Sequence, residues 1–176
     1  MFEFILETEL AILNYIQTIR CVFFDLAFVF ITHLGDKGML WIIIGLSLCF
    51  TKKYKRAGYC VLLALLINLV ICNITLKPLV ARTRPYEYIE GIKLLINKPK
   101  DFSFPSGHSS ASFAAAFSVW LYNKKWGRVS LVVASLIAFS RLYLHVHFLT
   151  DVMFGILIGV FASFVARLLI TKIKLF

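Results

Sequence analysis

Residues 57–76 run for twenty positions without a charged side chain. A helix of that length is about 30 Å long, the thickness of a bilayer's hydrocarbon core. A soluble fold would have to cover such a helix on every side. This chain has little to cover it with, since 60% of its residues are hydrophobic and only 16% are charged. Soluble domains carry roughly a quarter charged residues. The sequence therefore describes an integral membrane protein built from helices.

The other apolar stretches extend that reading. Residues 21–34 are apolar but short, and Asp25 interrupts them, so they cross only if the helix begins near Tyr15. Residues 39–51, 109–122, 129–144 and 149–171 are further apolar stretches. Phe2, Ile5, Leu6, Leu10, Leu13, Ile16 and Ile19 recur at helical spacing, which makes residues 2–19 an amphipathic segment. The expected fold class is all-α: a polytopic membrane helix bundle of about six transmembrane helices after an N-terminal amphipathic segment. Five crossings, with residues 1–34 lying in the interface, is the alternative. The 176 residues fit one domain, with the polar motifs confined to 77–151.

A net charge of +10 raises the question of nucleic acid, but the cations cluster at the ends of apolar runs. That is the pattern of membrane topology, and no nucleic-acid partner is expected. Clusters 52–56, 124–128 and 172–174 belong on the cytoplasmic side, which places the C-terminus there. The turn Gly35–Gly38, the loop 77–105 and the turn 144–149 then share the outer face. A bacterial plasma membrane is the expected location. Loop 77–105 is itself basic, so its cations are expected to serve an anion site. The N-terminus carries Glu3, Glu7 and Glu9 in place of a basic region, so no cleavable signal is expected. Cys21, Cys49, Cys60 and Cys72 form no C-x-x-C pair and read as small apolar residues.

Three polar clusters share the outer face: Lys77 to Pro85, Pro105 to His108, and Ser140 to Asp151. Ionisable groups at membrane depth are costly and usually serve function. Lys77, Arg84 and Arg141 are cations suited to phosphate, the two arginines bidentately. Pro105-Ser106-Gly107 leads into a helical pattern, with Ser106 as its cap, and free N–H groups near Gly107 favour an anion. His147 and Asp151 are four apart, so on a helix they share a face, and Asp151 can hold the Nδ1–H of His147. Nε2 is then free as a nucleophile. His108 is the expected general acid for the leaving oxygen. With one carboxylate in this set, assigned to His147, no metal or other cofactor is expected.

Lys-x6-Arg-Pro, Pro-Ser-Gly-His and Ser-Arg-x5-His-x3-Asp occur here complete and in order. In this the chain resembles the type-2 phosphatidic acid phosphatase superfamily. The resemblance implies metal-independent removal of phosphate from a membrane lipid phosphate or diphosphate, through a phosphohistidine. It carries phosphate binding onto Lys77, Arg84, Ser106, Gly107 and Arg141, the acid role onto His108, the nucleophile onto His147 and its orientation onto Asp151. A polyprenyl (undecaprenyl) diphosphate is the favoured substrate class. Phosphatidylglycerophosphate, phosphatidic acid or a lipid A phosphate are alternatives. A vanadate-dependent haloperoxidase and a non-enzymatic lipid-binding protein are remote ones.

Two positions depart from many relatives: His145 stands where a glycine is common, and Leu149 where a proline is. His145 reads as a plain loop residue. Arg82 reads as an interface anchor, His33 as a packing residue, and Tyr86, Tyr88 and Tyr143 as interfacial aromatics. Ile89–Ile96 is mildly amphipathic and is expected to form a short interfacial helix roofing the site.

Overall fold

The computed structural model describes residues 2–89 and 91–172, all helical or irregular among those residues. Helices α1 (Phe2–Gln17) and α2 (Val22–Leu34) are followed by a 3-10 turn, Asp36–Gly38, and by α3 (Met39–Cys49). Next come α4 (Lys55–Asn68), a π-helical segment (Leu69–Leu76) and one helical turn, α5 (Lys77–Val80). After a long loop, α6 (Gly107–Tyr122), α7 (Lys124–Tyr143) and α8 (Leu149–Lys172) complete the chain.

Among the described residues, two helical stretches, Lys55–Tyr88 and Leu149–Lys172, are long and apolar enough to cross a membrane. A third appears if α1 and α2 count as one span, but the pair is bent by 119°. Side-chain contacts explain where that elbow lies. Glu9 Oε1 accepts from the Thr150 N–H at 2.8 Å, Gln17 Nε2 donates to the Tyr143 carbonyl at 2.9 Å, and the Tyr143 hydroxyl donates to Asp25 at 2.6 Å. Both helices thus rest against the α7–α8 turn, at one end of the bundle. Leu13 and Ile16 pack there with Leu142, Val146 and Phe148. Burying those apolar faces is what a short amphipathic helix gains by lying across helix ends.

The bundle centre is α6 between α7 and α8. Small residues permit close approach, as is usual between membrane helices. Ala114, Ala115, Ala116, Ala162 and Ala166 are buried. At Gly155 an added Cβ would stand 2.8 Å from the Ser106 carbonyl oxygen, so only glycine lets α8 pass the start of α6. Asn123 both ends α6 and starts α7, its Oδ1 accepting from the N–H groups of Lys125 and Trp126. The basic cluster 124–128 is therefore the first turns of α7.

Residues 89–96 do not form the expected helix. The described part is irregular, with Gly91 at φ 73, although Ile92, Leu94, Leu95 and Ile96 still pack on the core. Glu90 in that stretch, and Lys174 in the last basic cluster, lie outside the described residues.

Candidate active site

The π-helical segment leads directly into Lys77, a wider coil of a kind often found beside functional sites. It delivers Lys77 to the bundle end beside Gly107. Lys77 is buried and its Nζ bonds to Asp101. An added Cβ at Gly107 would lie 3.8 Å from Lys77 Nζ and 3.0 Å from Asn73 Oδ1. Any larger residue at 107 would intrude on that space.

Arg84 follows on an extended residue and is almost wholly buried. Its Nη2 donates to Asp101 Oδ1 at 2.7 Å, its Nη1 to the Val146 carbonyl at 2.6 Å and to His147 Nε2 at 3.3 Å. An arginine only donates, so His147 Nε2 carries a lone pair and Nδ1 carries the proton. Burial, then the charges of Arg84, Arg141 and Lys77, pushes His147 well below the usual histidine range. The imidazole is neutral, as a nucleophile requires.

His147 precedes α8 instead of lying on it, so the shared helix face expected for His147 and Asp151 does not exist. They meet because Asp151, in the first turn of α8, folds back. Its Oδ2 accepts from the Phe148 N–H at 2.9 Å and from Ser103 Oγ at 2.5 Å, and stands 3.5 Å from His147 Nδ1. The capping role and the approach to His147 thus coexist in one carboxylate. The other oxygen accepts from Arg82 Nη1 at 2.6 Å.

Arg82 is accordingly no interface anchor. It also donates to Glu9 and Thr150, and its guanidinium lies 4.0 Å above the Phe148 ring. The interface reading overlooked that Glu9, on the buried side of α1, supplies a second carboxylate. His33 is likewise not simply packed: its Nδ1 donates to Asp36 at 2.7 Å.

Ser106 caps α6 as expected, accepting from the Ser109 N–H. Its side chain is fully buried against Ser109. Its own N–H donates to the Asp151 carbonyl at 3.0 Å, which ties the second cluster to the third. His108, one position inside the helix after Gly107, has its Nε2 3.0 Å from Asp36 Oδ1. Arg141 ends α7, buried, and donates to Thr32 Oγ1 at 2.5 Å.

Lys77, Arg84, Gly107, His108, Arg141 and His147 all line one chamber of about 300 Å³. Ser106 and Asp151 stand behind it. Asp36 and Asp101 also line it, and sequence reasoning missed both. The available signal was topological: each is a carboxylate on the face where the cations gather. A second cavity of about 560 Å³ shares Lys77, Asp101, Gly107 and His108 with the chamber. It continues over Ile42, Leu62, Leu65 and Leu69 into the apolar space between α3 and α4. His145 lines neither. Three cations converging on two histidines can neutralise a phosphoryl group while one imidazole attacks and the other moves a proton.

The chain is similar to several known proteins and to one family model. The PAP2 superfamily model matches residues 57–174. Undecaprenyl-diphosphatase of Sulfolobus acidocaldarius is 30% identical over 139 residues, covering 78% of this chain and 66% of that protein. The crystal structure of Aquifex aeolicus LpxE superposes with a TM-score of 0.80 at 27% identity, covering 90% of this chain and 94% of that one. The crystal structure of the Bacillus subtilis PAP2-type phosphatidylglycerolphosphate phosphatase gives 0.78 at 30% identity, covering 97% and 88%. With the three motifs gathered at one bundle end and the family model matching well over half of the residues, the chain belongs to the PAP2 superfamily, the type-2 phosphatidic acid phosphatases.

Proposed function

We propose that the chain is a single integral-membrane domain, residues 1–176, that hydrolyses a lipid phosphate monoester or diphosphate. The observation that carries this is the polar chamber opening onto an apolar cavity. A phosphate fits the first and a lipid chain the second. The His147 Nε2 lone pair attacks phosphorus, the bond from phosphorus to the leaving oxygen breaks, and His108 gives that oxygen a proton. Water then attacks the phosphohistidine, the P–N bond breaks, and His108 takes the water proton. Lys77, Arg84, Arg141 and the N–H groups at Gly107 hold the charge on the phosphoryl oxygens. Asp151 accepts the Nδ1–H of His147 as it becomes positive.

We favour a polyprenyl diphosphate as substrate class. The apolar cavity is an open cleft suited to a long chain, and one relative is named an undecaprenyl-diphosphatase. Another is named a phosphatidylglycerolphosphate phosphatase, so that lipid is the first competitor. The site faces outward by the distribution of cations, with the C-terminus cytoplasmic. The contacts of Glu9, Gln17 and Asp25 favour five crossings, with α1 and α2 on the site face. Labelling of Cys21 by an impermeant maleimide on intact cells supports that arrangement, and labelling only after lysis supports six.

Phosphate release from purified protein, over a panel of lipid phosphates and diphosphates with a chelator present, tests the activity. Release by the wild type and none by His147→Ala is expected. No release from any lipid would overturn the reading.

A further inference from the structure

Residues 1–56 lie ahead of the family match, yet the turn between α2 and α3 reaches the proton donor. Asp36 receives two imidazoles at once: His108 Nε2 at 3.0 Å on Oδ1, and His33 Nδ1 at 2.7 Å on Oδ2. We propose that Asp36 is a positioning residue that grips His108 by Nε2–H and holds the charged imidazole in place for proton donation. This rests on the lipid phosphatase reading above.

The chemistry makes such a partner necessary. Among the described residues, the other charged and titratable groups lining the cavities beside His108 are Lys37 from the turn itself, Lys77 from α5, Arg84 and Asp101 from the long loop, Arg141 from α7, and His147 and His33. Lys77, Arg84 and Arg141 disfavour another positive charge beside them. Asp101 is taken up by Lys77 and Arg84. Asp36 is the carboxylate left in contact with His108.

Burial acts to raise the pKa of Asp36, but the hydrogen bonds from His33 and His108 outweigh it and hold the carboxyl below its usual range. It is therefore an anion at neutral pH. An imidazolium has two N–H groups. With Nε2–H held by Asp36, the proton that passes to the leaving oxygen is the one on Nδ1. Cδ2, bonded to Nε2 on the same edge of the ring, packs on Gly35, where an added Cβ would come within 2.7 Å. Nδ1 therefore faces away from α2. His33, half exposed, steadies the second oxygen of Asp36 from the solvent side.

The test compares wild type, Asp36→Asn, Asp36→Glu and His108→Ala on two lipid substrates, one with an alkyl leaving group and one with an aryl leaving group. An acid matters most when the leaving oxygen is basic. We expect Asp36→Asn to lower kcat for the alkyl substrate roughly tenfold or more, a part of what a general acid contributes, with little loss for the aryl one. Activity is lost as pH rises through the ionisation of the acid. Removing the anion eases that ionisation, so the alkaline limb of kcat/KM should move to lower pH. Asp36→Glu should restore part of both.

Equal losses on both substrates with an unmoved alkaline limb would overturn the inference in favour of a structural role. So would no loss at all. In either case wild-type turnover leaves the phosphatase reading standing, whereas a wild type inactive on both lipids defeats that reading itself. Unchanged inhibition by orthovanadate identifies a variant as folded. If Asp36→Asn loses it, Asp36→Glu carries the same comparison.

Discussion

Arg82 donates to Asp151 across 2.6 Å, from a position that the signature spacing leaves unspecified. The same guanidinium donates to Glu9 at 2.6 Å, so one cation serves two buried carboxylates. The other oxygen of Asp151 stands 3.5 Å from His147 Nδ1, so Arg82 holds the carboxylate that the proposed mechanism sets beside the nucleophile.

Removing Arg82 leaves both carboxylates buried without their cation. Arg82→Ala is expected to destabilise by about 3 kcal/mol, the low end for breaking a buried pair, because Arg82 keeps some exposure. Denaturation in detergent measures this. Arg82→Lys should recover only part, since one ammonium cannot imitate a fork with three acceptors. kcat should fall in both variants, with KM less affected.

Asp101 sits where the proposed mechanism places the phosphate. Its carboxylate accepts from both Lys77 and Arg84, the cations proposed to hold substrate. Burial opposes its ionisation, but Lys77 and then Arg84 hold its carboxyl down to about 2. Because the folded value lies below the ordinary one, this pairing stabilises fully above about pH 4 and is lost as pH falls toward 2. Asp101→Asn should flatten acid unfolding across that window and leave the neutral range untouched. It should also free the two cations, so inhibition by inorganic phosphate should tighten severalfold. An unchanged inhibition constant would mean that substrate does not displace Asp101.

The cations and histidines of the site were legible because a polar residue inside an apolar chain is conspicuous. Lys77, Arg84, His108, Arg141 and His147 converge as their types and shared face implied. Their partners were not legible. Asp36 reads as an ordinary turn residue, Asp101 as one loop charge among many, and Glu9 as one of several acids on an amphipathic segment. Each acts across a long sequence separation, which no local period records. The pairing of His147 with Asp151 was foreseen for the wrong reason. Helical spacing suggested it, whereas a side chain folding back from the first turn of α8 produces it. The bend between α1 and α2 falls at the polar break Gln17-Thr18-Ile19-Arg20, but its angle is set by contacts to distant residues and left no mark in the local sequence.

His145 holds φ at 60, in the left-handed region, where a side chain costs roughly 1 kcal/mol or more. It is buried, and neither ring nitrogen has a hydrogen-bond partner among the described residues. Burial, then the charge of Arg20, lowers its basicity, so the ring is neutral at pH 7. His145→Gly is expected to keep full activity, with stability within about 1 kcal/mol of wild type, as relief of strain offsets lost packing. His145→Val should be clearly less stable, because a branched side chain tolerates this backbone least. Thermal unfolding with parallel phosphate-release assays checks both. A large rate loss in His145→Gly would give the ring a part in the chemistry.

Gly35 offers the sharpest separation of rate from stability. Its φ is −86, so alanine is allowed by the backbone. Space is the constraint: an added Cβ would stand 2.7 Å from His108 Cδ2 and 2.9 Å from Ile137 Cγ2. Both contacts are with side chains, so the structure can relieve them by moving those chains. Ile137 is fully buried in the core and has little room, whereas the imidazole borders the open chamber. The ring should therefore swing away and its bond to Asp36 lengthen. Gly35→Ala is expected to cost about 1 kcal/mol of stability, within the usual range for overpacking, while kcat on an alkyl leaving group falls tenfold or more. On an aryl leaving group the loss should be small, since that oxygen needs no proton. Equal loss on both would mean that the strain had reached the phosphate-binding cations instead of the acid.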